Sequence, residues 1–124
     1  MTQPGLGSPL VRTPADGAPT IVHLTAEYSP FARSGGLGEA VMGLAECQVR
    51  GGANVVVFLP LYRTVRDHAP DLAPLGRPLQ VELGFRGEEV RFFREVHPRK
   101  GPKVVFVDIP SAFARGGLYG EGGK

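Results

Sequence analysis

Arg33, Ser34, Gly35 and Gly36 lie between two carboxylates, Glu27 and Glu39, in the run Glu27-Tyr-Ser-Pro-Phe-Ala-Arg-Ser-Gly-Gly-Leu-Gly-Glu39. A cation followed by two adjacent glycines can hold a phosphate group. The guanidinium supplies a full charge, and the missing side chains let backbone N–H groups come close to the oxygens. The same residues admit a plainer reading, in which Gly35 and Gly36 let the chain turn and pack closely while Arg33 stands in solvent. Gly36-Leu37-Gly38 lacks the third glycine of the dinucleotide fingerprint, since Val41 occupies that place, and no Gly-Lys-Ser/Thr follows. NAD, FAD and the ATPase phosphate loop are therefore not supported.

Two elements must position this loop. Ile21-Val22-His23-Leu24-Thr25-Ala26 has the composition of a buried strand. Leu37, Val41, Leu44, Ala45 and Gln48 recur at helical spacing, the first four forming an apolar stripe. A strand, a loop and a helix in that order leave unpaired N–H groups and partial positive charge at the helix start, beside Arg33. Glu39 falls in the first helical turn, where it could also act as a cap.

Further along, Arg50–Pro60 is taken as holding a second strand on the resemblance described below. Pro70, Pro74 and Pro78 mark an extended connection after the segment from Tyr62 to His68. Leu79–Val96 reads as an antiparallel hairpin turning at Gly84-Phe85-Arg86-Gly87-Glu88, and Lys103–Ile109 as a strand covered on both faces. The expected fold class is α/β, a mostly parallel sheet of the first, second and last strands with an inserted β-hairpin.

These motifs resemble the bacterial glycogen synthases and plant starch synthases. In that family a strand leads into a Ser/Ala-Glu-x-x-Pro-Phe/Leu loop and then Lys-Thr-Gly-Gly-Leu-Ala-Asp. Here Glu27, Pro30 and Phe31 match the loop, and Arg33-Ser34-Gly35-Gly36-Leu37-Gly38-Glu39 matches the run. Arg50–Pro60, followed by Tyr62, resembles the family's second strand, and Ala112–Glu121 its Phe-x-Arg-x-Gly-Leu-Tyr-Gly segment. Arginine for lysine and glutamate for aspartate keep the sign of each charge and change its geometry.

The resemblance implies an incomplete Rossmann-like amino-terminal domain of a two-domain glycosyltransferase, spanning residues 20–124 behind a Pro/Gly-rich leader at 1–19, expected to be disordered. It also implies that the 124 residues end inside a family loop. The implied reaction transfers glucose from ADP-glucose to the non-reducing end of an α-1,4-glucan with retention, and needs neither metal nor cofactor. Arg33, Ser34, Gly35, Gly36, Glu27 and Glu39 become substrate-binding residues, Arg33 on the diphosphate and the two glutamates on hydroxyl groups. No catalytic residue is expected within this stretch, and the stretch by itself is expected to be inactive. A non-catalytic glucan- or phosphate-binding remnant, or a transferase using UDP-glucose, are the alternatives.

Composition agrees with a piece of α/β enzyme: 42% of residues are hydrophobic and 21% charged, enough apolar content for a core. A formal charge of +2 with no basic run argues against nucleic acid and anionic membranes as partners. No apolar stretch is long enough to span a bilayer and no secretory signal pattern opens the chain, so a cytoplasmic location is expected. His23, His68 and His97 are too scattered for a metal site, and His23 reads as a packed or hydrogen-bonded strand residue. Cys47, the single cysteine, is expected to be buried on the inner flank of the helix.

Overall fold

β-branched and apolar residues crowd at Thr20–Leu24 and form β1 in the computed structural model, which describes residues 17–68, 71–84 and 86–113. Next come α1 (Gly36–Arg50), β2 (Asn54–Pro60), α2 (Arg63–His68), β3 (Leu72–Pro74), β4 (Leu79–Leu83), β5 (Arg86–Glu95), β6 (Lys103–Asp108) and α3 (Pro110–Phe113). Most of the leader, and the Leu-Tyr-Gly segment with the residues after it, lie outside the described residues.

The sheet runs β1-β2-β6-β5-β3, with β4 paired to β5. β1, β2 and β6 are parallel, as their apolar runs predict, with Ile21 opposite Val55 and Leu59 opposite Phe106. The hairpin extends this sheet, because β5 lies antiparallel against β6 and places Phe93 opposite Phe106. Its turn is tighter than the sequence reading has it. Leu83 pairs with Arg86, Gly84 takes the left-handed conformation at φ 68°, and Arg86–Glu88 already belong to β5. β3 was not foreseen in the proline-rich connection. Among the described residues it pairs on one side only, where the missing N–H of Pro74 is tolerated.

Alternation along β2 divides the core between the two sheet faces. Val55, Val57 and Leu59 pack with Phe106, Tyr62, Val65 and the Ala45 side of α1, whereas Val56 and Val105 pack with Phe58, Leu75 and Phe92 on the other face. The inward stripe of α1 keeps Val41 and Ala45 of the expected four and loses Leu37 and Leu44. Gly38 and Ala45 are buried, Val41, Met42 and Val49 pack against the core, and Leu37 and Leu44 are half exposed.

Cys47 corrects the sequence reading for the same reason, since it is exposed on the outer side with Leu44. The helix is turned so that small residues face the sheet. His23 behaves as expected: it is partly buried in β1 and joined through Nε2 to Oε1 of Gln48 on α1 at 2.8 Å.

At the edge beyond β1, Val22 and Leu24 are 53% and 80% exposed, and no strand pairs on that side among the described residues. The parallel strands end at Leu24, Pro60 and Asp108, so residues 25–35, the Leu61-Tyr62 link and Ile109 gather along one edge of the sheet. That carboxyl edge is where open α/β sheets place their ligands.

Candidate functional site

The loop from β1 to α1 is built by short-range bonding before it meets the helix. Thr25 Oγ1 donates to the carbonyl of Glu27 at 2.7 Å and accepts from the Glu27 N–H at 3.2 Å, which turns the chain over the end of β1. Tyr28 and Ala32 then exchange backbone hydrogen bonds of 2.8 and 3.0 Å around a cis Ser29–Pro30 peptide. Phe31 packs against the core with its ring near-perpendicular to that of Phe106, 5.2 Å between ring centroids, and the Arg99 guanidinium lies over the Phe31 ring, 5.3 Å from its centroid. Pro30 and Phe31 therefore anchor the loop.

The Glu27 carboxylate, in a residue only 3% exposed, fixes the rest. Oε1 accepts the Ser34 N–H at 2.9 Å and Oε2 the Ser34 hydroxyl at 3.0 Å. This pair ties the end of the loop to its beginning. Tyr62 donates its hydroxyl to the Ala26 carbonyl at 3.2 Å, joining the loop to the link after β2.

The three glycines of the run differ in what requires them. At Gly38 a Cβ would lie 3.0 Å from Arg33 Cβ, 3.1 Å from the Ala32 carbonyl and 3.3 Å from the Ser29 nitrogen. The Ser29 N–H donates to the Gly38 carbonyl at 3.1 Å, so the loop is pressed directly onto the first turn of α1. Gly35 and Gly36 are open: a Cβ at either meets nothing within 4 Å. Neither is in the left-handed region, and Gly35, at φ −167°, is extended backbone that any residue adopts. Neither packing nor backbone conformation among the described residues calls for glycine at 35 or 36.

Arg33 and Glu39 form an ion pair through Nη1 and Oε2, with both side chains more than half exposed. Gly35 caps α1 without a side-chain hydrogen bond, so Glu39 does not serve as a cap, and its charge meets Arg33. The structure thus brings Arg33, Ser34, Gly35, Gly36 and Glu39 together at the start of α1, with Glu27 buried beneath them.

Two further groupings were not identified from sequence. At the carboxyl edge Arg66 of α2 pairs with Asp108 at the end of β6, Nη2 to Oδ2, at 2.9 Å. The signal available was the lone acid closing the run Val104-Val-Phe-Val-Asp108. Toward the start of β6, Tyr28, Glu46, Glu95 and Arg99 surround a cavity of about 40 Å3. Burial, with Glu46 nearby, pushes the Tyr28 phenol up to about 12. Burial also raises the Glu95 carboxyl, against the opposing pull of Arg99. No cluster of His, Cys, Asp or Glu suited to a metal ion occurs among the described residues, and no described helix is long and apolar enough to cross a membrane.

Comparison with known proteins matches this arrangement to a family. The profile described as "Starch synthase catalytic domain" matches residues 20–124. The chain is 35% identical over 106 residues to a glycogen synthase of Anaeromyxobacter dehalogenans, covering 84% of this chain and 20% of that protein. It is 35% identical over 105 residues to a glycogen synthase of Opitutus terrae, covering 82% and 21%. Among solved structures, the catalytic domain of starch synthase IV from Arabidopsis thaliana, bound to ADP and acarbose, superposes with a TM-score of 0.72 at 31% identity, over 85% of this chain and 22% of that one. The chain spans about a fifth of the length of the curated relatives it matches.

Proposed function

The chain belongs to the starch synthase catalytic-domain family, and from that membership we propose that it forms the donor-phosphate side of a glucosyltransferase cleft. The reaction is transfer of glucose from ADP-glucose to the non-reducing end of an α-1,4-glucan, with retention of configuration. The Arabidopsis relative's ADP and acarbose support a nucleotide and a glucan-like ligand for this chain as well. The observation that carries the reading is the open pair Gly35 and Gly36 at the start of α1, glycines that their own surroundings do not require.

A diphosphate settling there meets the unpaired N–H groups of the first helical turn and the positive end of the helix. Arg33 faces the charge that grows on the leaving diphosphate as the glycosidic bond stretches, and charge neutralised at that moment lowers the barrier. Releasing Arg33 from Glu39 costs little, because an exposed ion pair contributes about 0–1 kcal/mol. Glu39, once released, is placed to accept a sugar hydroxyl. Glu27 acts one step back by holding Ser34, and with it the approach to Gly35.

These 124 residues span about a fifth of the length of the glycogen synthases they match, and glucosyl transfer by them alone is expected to be absent. The test is a chimera in which residues 20–124 replace the matching fifth of the Anaeromyxobacter glycogen synthase. The chimera should transfer glucose from ADP-glucose to glycogen, and Arg33→Ala within it should lower the rate about ten- to a hundredfold, the loss of one charge-assisted hydrogen bond. An Arg33→Ala rate within about twofold of the parent chimera rejects the role of Arg33.

A further inference from the structure

One side chain of the β5–β6 connection, residues 96–102, reaches the loop that carries Arg33. The Arg99 guanidinium lies over the Phe31 ring, 5.3 Å from its centroid, and Phe106 of β6 meets the same ring at 5.2 Å and 87°. Phe31 is thus held by two groups of the β5–β6 unit, one aromatic and one cationic. We propose that Arg99 is a positioning residue: through Phe31 it fixes how the Arg33–Gly36 segment meets the start of α1, and so sets affinity for the donor diphosphate. The inference rests on the transferase reading for what the segment binds, while the mechanical link stands by itself.

The link runs through short, stiff contacts. Around Phe31 the Ala32 N–H donates to the Tyr28 carbonyl at 3.0 Å and the Tyr28 N–H to the Ala32 carbonyl at 2.8 Å, so the ring and the next residues form one unit. That unit is pressed on α1, since a Cβ at Gly38 would lie 3.0 Å from Arg33 Cβ and 3.1 Å from the Ala32 carbonyl. A tilt of Phe31 is therefore passed on to Arg33, two residues along. Small misplacements of a group that holds a reacting ligand are costly.

Arg99 itself is kept in place by charge and by its backbone. Glu46 of α1 and Glu95 at the end of β5 line the same cavity as Arg99 and Phe31. Burial raises the Glu95 carboxyl and, together with Glu46, the Tyr28 phenol, and Arg99 opposes both shifts, so its charge is felt at each. Pro98 and Pro102 fix φ on either side of it, and Gly101 holds φ 118°, which stiffens the connection that carries it.

The experiment has two arms. In the 124-residue chain, amide hydrogen exchange followed by NMR reads the Ala32 and Ser34 N–H groups, bonded to Tyr28 and Glu27, with buried Val57 and Val105 as references. Arg99→Gln should speed exchange at Ala32 and Ser34 about two- to fivefold, the size of one exposed cation–π contact, and leave the references alone. Arg99→Lys should keep most of the protection, and beside Phe31→Leu the Arg99→Gln change should have no further effect. In the glycogen synthase chimera, Arg99→Gln should raise the KM for ADP-glucose by a similar factor and leave the KM for glycogen unchanged, a split that loss of folded protein does not produce.

Unchanged exchange at Ala32 and Ser34, equal acceleration at Val57 and Val105, or no rescue by Arg99→Lys would each overturn the proposal. So would an undiminished effect beside Phe31→Leu, or an unchanged donor KM in an active chimera. Arg99→Lys, at an exposed side chain, keeps the test decisive should Phe31→Leu not fold. An inactive chimera removes the transferase reading, and the exchange pattern then decides the positioning role alone.

Discussion

Glu27 makes a sharp prediction because two substitutions there have different consequences. In Glu27→Ala both bonds to Ser34 disappear, the N–H at 2.9 Å and the hydroxyl at 3.0 Å. Hydrogen bonds to a charged group contribute about 1.5–3 kcal/mol each, and removing the buried carboxylate recovers part of its desolvation cost. The net loss expected is about 2–4 kcal/mol, a large share of the roughly 5–15 kcal/mol that holds a domain together. Glu27→Gln keeps the shape: its carbonyl oxygen can accept the Ser34 N–H while its amide donates to the Ser34 hydroxyl, which rotates to accept. Only the charge is lost, and the expected cost is about 1 kcal/mol.

Urea unfolding of the 124-residue chain, followed by far-ultraviolet circular dichroism, reads both values from midpoints at a shared slope. Ser34→Ala, alone and combined with each substitution, completes a double-mutant cycle. Coupling with Glu27→Ala should be about 1 kcal/mol or more. If Glu27→Ala and Glu27→Gln both lie within about 0.5 kcal/mol of the parent, as ordinary surface substitutions do, the clamp is not what orders this loop.

Gly38→Leu should destabilise the chain by about 1–3 kcal/mol in the same unfolding assay, since even its Cβ would sit 3.1 Å from the Ala32 carbonyl; an unchanged midpoint contradicts the close approach. Glu95 has a raised pKa in the folded state, so the native form binds its proton more tightly than the unfolded form does. Its contribution is complete below the ordinary carboxylate pKa and is lost as pH rises through the folded value. Stability measured from pH ~7 downward should therefore rise over the window just above the ordinary carboxylate range, and Glu95→Gln should flatten that slope. Cys47 is exposed, so a thiol reagent should titrate it fully in the native chain without denaturant; slow, denaturant-dependent reaction would place it inside.

The first and last parallel strands were legible from apolar, β-branched-rich runs such as Lys103–Asp108, and the second from the likeness of Arg50–Pro60 to the family's second strand. The hairpin was legible from the two-residue alternation of Leu79–Leu83, though its turn was not, because Gly87 suggested a longer loop than Gly84 alone requires. The phase of α1 was only partly legible: Val41 and Ala45 face the core as read, but size was a poor guide for the rest, since Leu37 and Leu44 are half exposed while Gly38 faces inward, where Ala32 and Arg33 leave little room for a Cβ. β3 was missed because three prolines masked a three-residue edge strand.

At the candidate site, the sequence brought Arg33, Ser34, Gly35, Gly36 and Glu39 to one turn. It could not show that Glu27 points inward to Ser34, or that Arg33 finds Glu39, because those pairings depend on the tertiary path of the loop. Arg66 and Asp108 stand 42 positions apart, and nothing in a local window relates them.

The two margins of the sheet are chemically unlike, and this governs how the molecule can grow. Along β3 the ring of Pro74 withholds an amide, so further backbone pairing is discouraged on that flank. Along β1 every residue of Thr-Ile-Val-His-Leu retains its N–H, and Val22 and Leu24 leave a greasy shoulder beside them. Extension is directional: of the two margins, β1 is the one whose backbone stays open to pairing, and that ribbon is where concentrated solutions of the chain are expected to begin to stick.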